Sequence, residues 1–87
     1  MSVANRRNLL MCDFIEETAA QLLSAGAFKL WRYCVRHKDN EDRIVLSPKT
    51  VEKEMKKDQY YRSRDELIEM RYLVLEDRER GVYLLRW

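Results

Sequence analysis

Gln59, Tyr61 and Arg62 are the side chains of this sequence best suited to reading the edge of a base, and they fall within four consecutive positions. A guanidinium fork matches the two acceptors of guanine, a carboxamide matches adenine, and a phenol can meet a phosphate or a thymine methyl. Just ahead of them stand Lys49, Lys53, Lys56 and Lys57, which carry the charge needed to neutralise backbone phosphates. Arg78 and Arg80, in a later charged turn, are long enough to reach a flanking groove. The competing assignment for all of these is an ordinary solvated face. Asp65, Glu66 and Glu69 weigh against deep insertion of the whole segment, since carboxylates repel phosphates. Asp65 stands three residues after Arg62 and is spaced to orient it by an ion pair. The mixed charge of Glu76, Asp77, Arg78, Glu79 and Arg80 fits solubility as well as contact.

The balance of charge sharpens where such chemistry could lie. Over 87 residues the formal net charge is only +2, with 37% charged and 46% hydrophobic residues. Residues 49–64 hold Lys49, Lys53, Lys56, Lys57, Arg62 and Arg64 against Glu52, Glu54 and Asp58, a local +3. Residues 65–87 are net negative. The positive excess therefore falls on the segment that would approach phosphates. The size implies one domain, and no apolar run approaches the ~20 residues that span a bilayer. Arg6 and Arg7 precede NLLMC, but Asp13, Glu16 and Glu17 soon interrupt it, which argues against a signal peptide. Cys12 and Cys34 read as buried small hydrophobes rather than a disulfide or zinc site, which makes the cytoplasm the expected compartment.

Catalysis is not expected. The chain has two glycines, too few for a phosphate-cradling loop, and no metal-ligand cluster or nucleophile arrangement. His37 is the one histidine and reads as a surface residue at a helix C-terminus. No cofactor, no metal and no small-molecule substrate are implied. Tyr60, Tyr72, Tyr83, Trp31 and Trp87 could stack on single strands, but Tyr60 and Trp31 fall on apolar faces and read as core.

Several elements must position these groups. Asn5 to Leu23 reads as a helix, with Leu10, Phe14, Thr18 and Leu22 recurring every four residues beside Met11, Ile15 and Ala19. Ser24 offers an N-cap for a second helix, Ala25 to Lys38, whose apolar positions are Ala27, Phe28, Leu30, Trp31, Cys34 and Val35. A polar turn over residues 39–42 leads to a short edge strand, Arg43 to Leu46. Ser47-Pro48 then opens a third predicted helix, SPKTVEKEMKK, that buries Val51 and Met55. Asp58 can cap a fourth, QYYRSRDELIEM, with Tyr60, Arg64, Leu67 and Ile68 along one side. Two strands, RYLVLE and GVYLLRW, close the chain around a turn from Glu76 to Gly81. The predicted order is ααβααββ, mainly α with a small antiparallel sheet (α+β).

The runs LLSAGAFKLWRYC, RIVLSPKTVEKEMKK and QYYRSRDELIEMRYLV resemble winged helix-turn-helix domains of bacterial mobile elements. Phage and plasmid replication initiators and small phage regulators are the nearest comparison. The family's recognition helix ends in Glu-Leu-Ile-Glu-x-Gly-Tyr-Leu, which reads here Glu66-Leu67-Ile68-Glu69-Met70-Arg71-Tyr72-Leu73. The resemblance runs from about Leu22 to Leu85. Arg71 departs from it, standing where a left-handed glycine is usual, and Lys56-Lys57-Asp58 lacks the glycine of the inter-helix turn. The resemblance implies one winged helix domain over residues 1–87, with an N-terminal helix at 5–23 and the motif at 24–87. It also implies double-stranded DNA as partner, and a role in transcription regulation or replication initiation of a mobile element. A protein-binding winged helix, acting as a small phage-encoded inhibitor or adaptor of a host or defence protein, is the alternative. The extra apolar face of the N-terminal helix is also compatible with a homodimer.

Overall fold

Among the described residues helix α1 runs over 15–22; the burial of Ala19 follows the apolar spacing read from the sequence, and Leu23, four residues on, is buried with it. Leu22 departs from that spacing and is 57% exposed. The computed structural model describes residues 15–86. The earlier part of the predicted helix, with Leu10, Met11, Cys12 and Phe14, and the terminal Trp87 lie outside the described residues. Helix α2, Ala25–His37, starts where Ser24 is expected to cap it: the Ser24 hydroxyl accepts from the Ala27 amide. Ala27, Leu30, Trp31 and Cys34 form its buried face. Phe28 stacks on Trp31 at 5.8 Å, and Tyr72 meets the same indole edge-on at 6.3 Å.

A turn tied by Asp39, whose carboxylate accepts from the Glu41 and Arg43 amides, leads into β1, Arg43–Val45. Those two amides hold the Asp39 carboxyl below its ordinary pKa. The next segment overturns one expectation. Ser47 does begin a turn, in a reciprocal pair: the Thr50 amide donates to Ser47 Oγ and the Ser47 amide to Thr50 Oγ1. Yet residues 48–54 are successive turns, not an α-helix. Glu52 and Glu54 donate three residues back, to Lys49 and Val51, and Met55 donates four back to Val51. The physical reason is length. Lys56 is drawn into extended backbone at the start of the next helix, which leaves too few residues to repay helix nucleation. Val51 and Met55 are buried as expected, so side-chain anchors rather than a helical ladder hold the segment.

Helix α3, Lys57–Glu69, is preceded by Lys56, which makes no side-chain cap bond. Asp58 therefore does not cap it. The helix starts before Asp58, whose carboxylate instead lies in the first turn, where the helix dipole favours it. At the other end, the Tyr72 amide donates to Leu67 and the Arg71 amide to Ile68, with Arg71 at φ 66°. This is the glycine-type helix exit built with an arginine. The strands β2, Leu73–Asp77, and β3, Val82–Leu85, form a hairpin closed by Gly81 at φ 66°. A Cβ at Gly81 would lie 2.7 Å from the Leu46 carbonyl oxygen, so only glycine lets the hairpin approach the end of β1 this closely.

The described residues thus form an α+β domain of three helices and a three-stranded antiparallel sheet in the order β1-β3-β2. Ile44, Tyr83 and Leu75 share one row across the sheet, and Leu85 and Leu73 the next on the same face. That face meets the helices. Leu30, Cys34, Val51, Tyr60, Leu67, Leu73 and Leu85 are fully buried in one core. Burial pushes the Cys34 thiol up to about 12 and raises the Tyr60 phenol above its usual value. Among the described residues no helix is long and apolar enough to cross a membrane.

Candidate nucleic-acid interface

Helix α3 presents different residues to each of its neighbours, because successive positions turn through about 100°. Tyr60, Ser63 and Leu67 face inward. Gln59, Arg62, Ser63 and Glu66 line a cleft of about 300 Å³ against Ser24 and Gly26 at the start of α2. Tyr61, Arg64 and Ile68 line a groove of about 600 Å³ against the β2–β3 hairpin. The three base-reading candidates are therefore not side by side. Gln59 and Arg62 lie on the α2 side, and Tyr61 lies on the hairpin side. Arg62, between them, and Tyr61 are exposed, whereas Gln59 is half-buried, its Nε2 only 3.0 Å from where a Gly26 Cβ would stand.

The cations ahead of them remain available. Lys49, Lys53, Lys56 and Lys57 are all exposed. None of these four, nor Arg62, has an ion pair among the described residues. The pairs formed join Arg32 to Glu16, Lys38 to Asp42, Arg43 to Glu41 and Glu76, Arg64 to Asp65, and Arg80 to Asp77. The basic run thus keeps its charge for solvent or for a partner, over the turn segment and the first turns of α3.

The acidic half of α3 is more self-contained than its sequence implies. Glu66 Oε2 accepts the Ser24 amide at 2.8 Å, which ties α3 to the N-terminus of α2. Asp65 does not orient Arg62. It accepts from Nε and Nη2 of Arg64 at 3.1 and 2.9 Å, because Arg64 lies beside it on the hairpin side. The Arg64 guanidinium also sits over the Tyr61 ring at 5.0 Å and the Tyr60 ring at 5.9 Å. Glu69 remains exposed. Two of the three carboxylates expected to repel phosphates are thereby occupied within the domain.

On the hairpin, Arg78 and Arg80 are exposed. Arg80 reaches Asp77 at 3.8 Å, and its amide donates to the same carboxylate. Both arginines border the groove beside α3. His37 is exposed and packs on Tyr33 at 4.3 Å. No group of three His, Cys, Asp or Glu among the described residues could hold a metal ion.

Arg64 and Glu66 are the residues whose roles the sequence concealed. The spacing of Tyr61, Arg64 and Ile68 at i, i+3 and i+7 was a signal for a shared face, but nothing local says that a hairpin stands opposite it. No family model matches this chain, and no curated protein or solved structure matches it.

Proposed function

We propose that this chain is a winged helix-turn-helix domain that holds double-stranded DNA, as a transcription regulator or replication initiation factor of a mobile element. The observation that carries the proposal is the exposed run of Lys49, Lys53, Lys56, Lys57 and Arg62, free of ion pairs among the described residues. The succession of helix, strand, turn segment, helix and hairpin supports it, as does a sheet order of β1-β3-β2 that sets the hairpin beside α3. In this reading the turn segment stands where the first helix of the motif would be, and its lysines contact phosphates. Arg62 enters the major groove from the start of α3, with Tyr61 and Gln59 on its flanks. Assignment to a mobile element rests on the resemblance of Glu66 to Leu73.

The test is a gel shift with random duplex DNA across a salt series. For two to four neutralised phosphates, log K falls against log salt with a slope of about −2 to −4. Lys53→Glu and Arg62→Glu each weaken binding at low salt. No shift at low salt, with both variants behaving like the parent, refutes the proposal. The second reading, a protein-binding winged helix that inhibits or adapts a host or defence protein, is favoured by the pairing of Arg64 with Asp65 and Arg80 with Asp77. Those pairs spend cations that a DNA-gripping helix and wing would leave open.

A further inference from the structure

The groove between α3 and the hairpin has a floor that phosphate chemistry does not use. Ile68 and Leu75 are each 37% exposed there. Leu75 lies on the core-facing side of the sheet, two residues beyond Leu73, which is 1% exposed. The core thus runs out along β2 and leaves aliphatic surface uncovered. Around this floor stand Arg64, Arg78 and Arg80, with Glu79 as the opposing charge. Asp65 and Asp77 engage two of the guanidinium groups, but each guanidinium carries five donors and retains some for a further acceptor. At about 600 Å³ the groove is of a size that seats several side chains.

We infer that this groove docks an acidic amphipathic helix of a protein partner, with apolar side chains on Ile68 and Leu75 and carboxylates against Arg64, Arg78 and Arg80. A sugar-phosphate strand could meet the arginines but has no apolar group to cover the aliphatic floor. A helix with leucines at i and i+4 and glutamates beside them supplies both. Strand addition to the open edge of β2 fits less well, because a bulge between Leu75 and Asp77 and the charges of Glu76 and Asp77 blunt that edge. The inference goes beyond the DNA reading, since the lysine run takes no part in it.

The probe is a fluorescein-labelled helical peptide of about 15 residues, with leucines at i and i+4 flanked by glutamates. Anisotropy measures its binding to the full chain, and methyl NMR reports on Ile68 and Leu75. The acidic peptide binds and shifts those methyls, while versions with lysine for glutamate or serine for leucine do not. Ile68→Ser and Leu75→Ser, both at partly exposed positions, each weaken it about tenfold. Lys53→Glu leaves it unchanged. No binding of the acidic peptide, or equal binding by the serine variants of the protein or peptide, overturns the inference. So do shifts of the same methyls with duplex DNA, which would give the groove to phosphates, or shifts that grow with protein concentration alone, which would give it to a second copy. Because Lys53→Glu acts on DNA and Leu75→Ser on the peptide, either reading can fail alone.

Discussion

Gly26 sits where α2 crosses α3, and a single methyl group there tests how tightly the interface is built. A Cβ at this position would lie 2.9 Å from Ser63 Oγ and 3.0 Å from Gln59 Nε2. Gln59 has a long, half-exposed side chain and can swing away. Ser63 is more constrained: it is 4% exposed on the inward face of α3, so its Oγ can give way only by changing rotamer against packed neighbours. Two effects oppose one another in Gly26→Ala. Alanine favours a helix interior over glycine by at most about 1 kcal/mol, and by less in a first turn. Overpacking a close helix contact costs about 1–3 kcal/mol. The steric cost outweighs the helical gain, and the variant loses about 1 kcal/mol. Ser63→Ala removes the obstructing oxygen, so the double variant recovers most of the loss, with a coupling energy of about 1 kcal/mol. Urea unfolding followed by circular dichroism measures both. With a slope of about 1 kcal/mol per molar, the midpoint of Gly26→Ala falls by roughly 1 M. An unchanged or raised midpoint, or strict additivity in the double variant, refutes the reasoning about this crossing.

Three further outcomes follow from particular residues. Arg71→Gly relieves a left-handed arginine at φ 66° and raises stability by about 1 kcal/mol; an equal or lower melting temperature would show that the side chain compensates for its backbone. Cys34 ionises near pH 12 in the folded chain against 9.0 for an ordinary thiol. Its contribution is therefore full below pH 9.0 and is lost as pH rises toward 12, because the unfolded thiol ionises first; in Cys34→Ala this alkaline loss shrinks, which denaturant midpoints measured from pH 8 to 11 would reveal. Glu66→Ala leaves the Ser24 amide without its carboxylate and lowers stability by about 0.5–1.5 kcal/mol, while Glu69→Ala, at an exposed position, changes it little. Equal effects of the two would mean that the bond between α2 and α3 contributes nothing measurable.

Much of the secondary structure was legible locally because the signals act over a few residues. Ser24 caps α2 through a hydroxyl three residues from its target, and Gly81 supplies a backbone angle that other residues adopt at a cost. Trp31 and Tyr60 were readable as core from helical spacing alone, and their burial bears that out. Arg71 shows a limit of the same kind of reading. An arginine does not by its type announce a left-handed helix exit, and only the hydrogen bonds from Tyr72 and Arg71 and the φ of 66° show that it makes one.

What the amino-acid sequence determined by itself was the kind of element at most positions, the apolar faces and the place of the positive excess. Periodicity, capping and composition carry those directly. The tertiary structure decided how far Ser47 could propagate a helix, since Val51 and Met55 fasten the segment to the core while Lys56 leaves helical backbone for α3. It decided that Asp65 pairs with Arg64 rather than Arg62, and that Glu66 turns inward to α2. It also set Gln59 and Tyr61 on opposite flanks of Arg62, and left Ile68 and Leu75 facing an open groove. Each of these depends on which element stands opposite a residue. That is a long-range fact, because a side chain's partner is chosen by packing between segments and not by its neighbours along the chain.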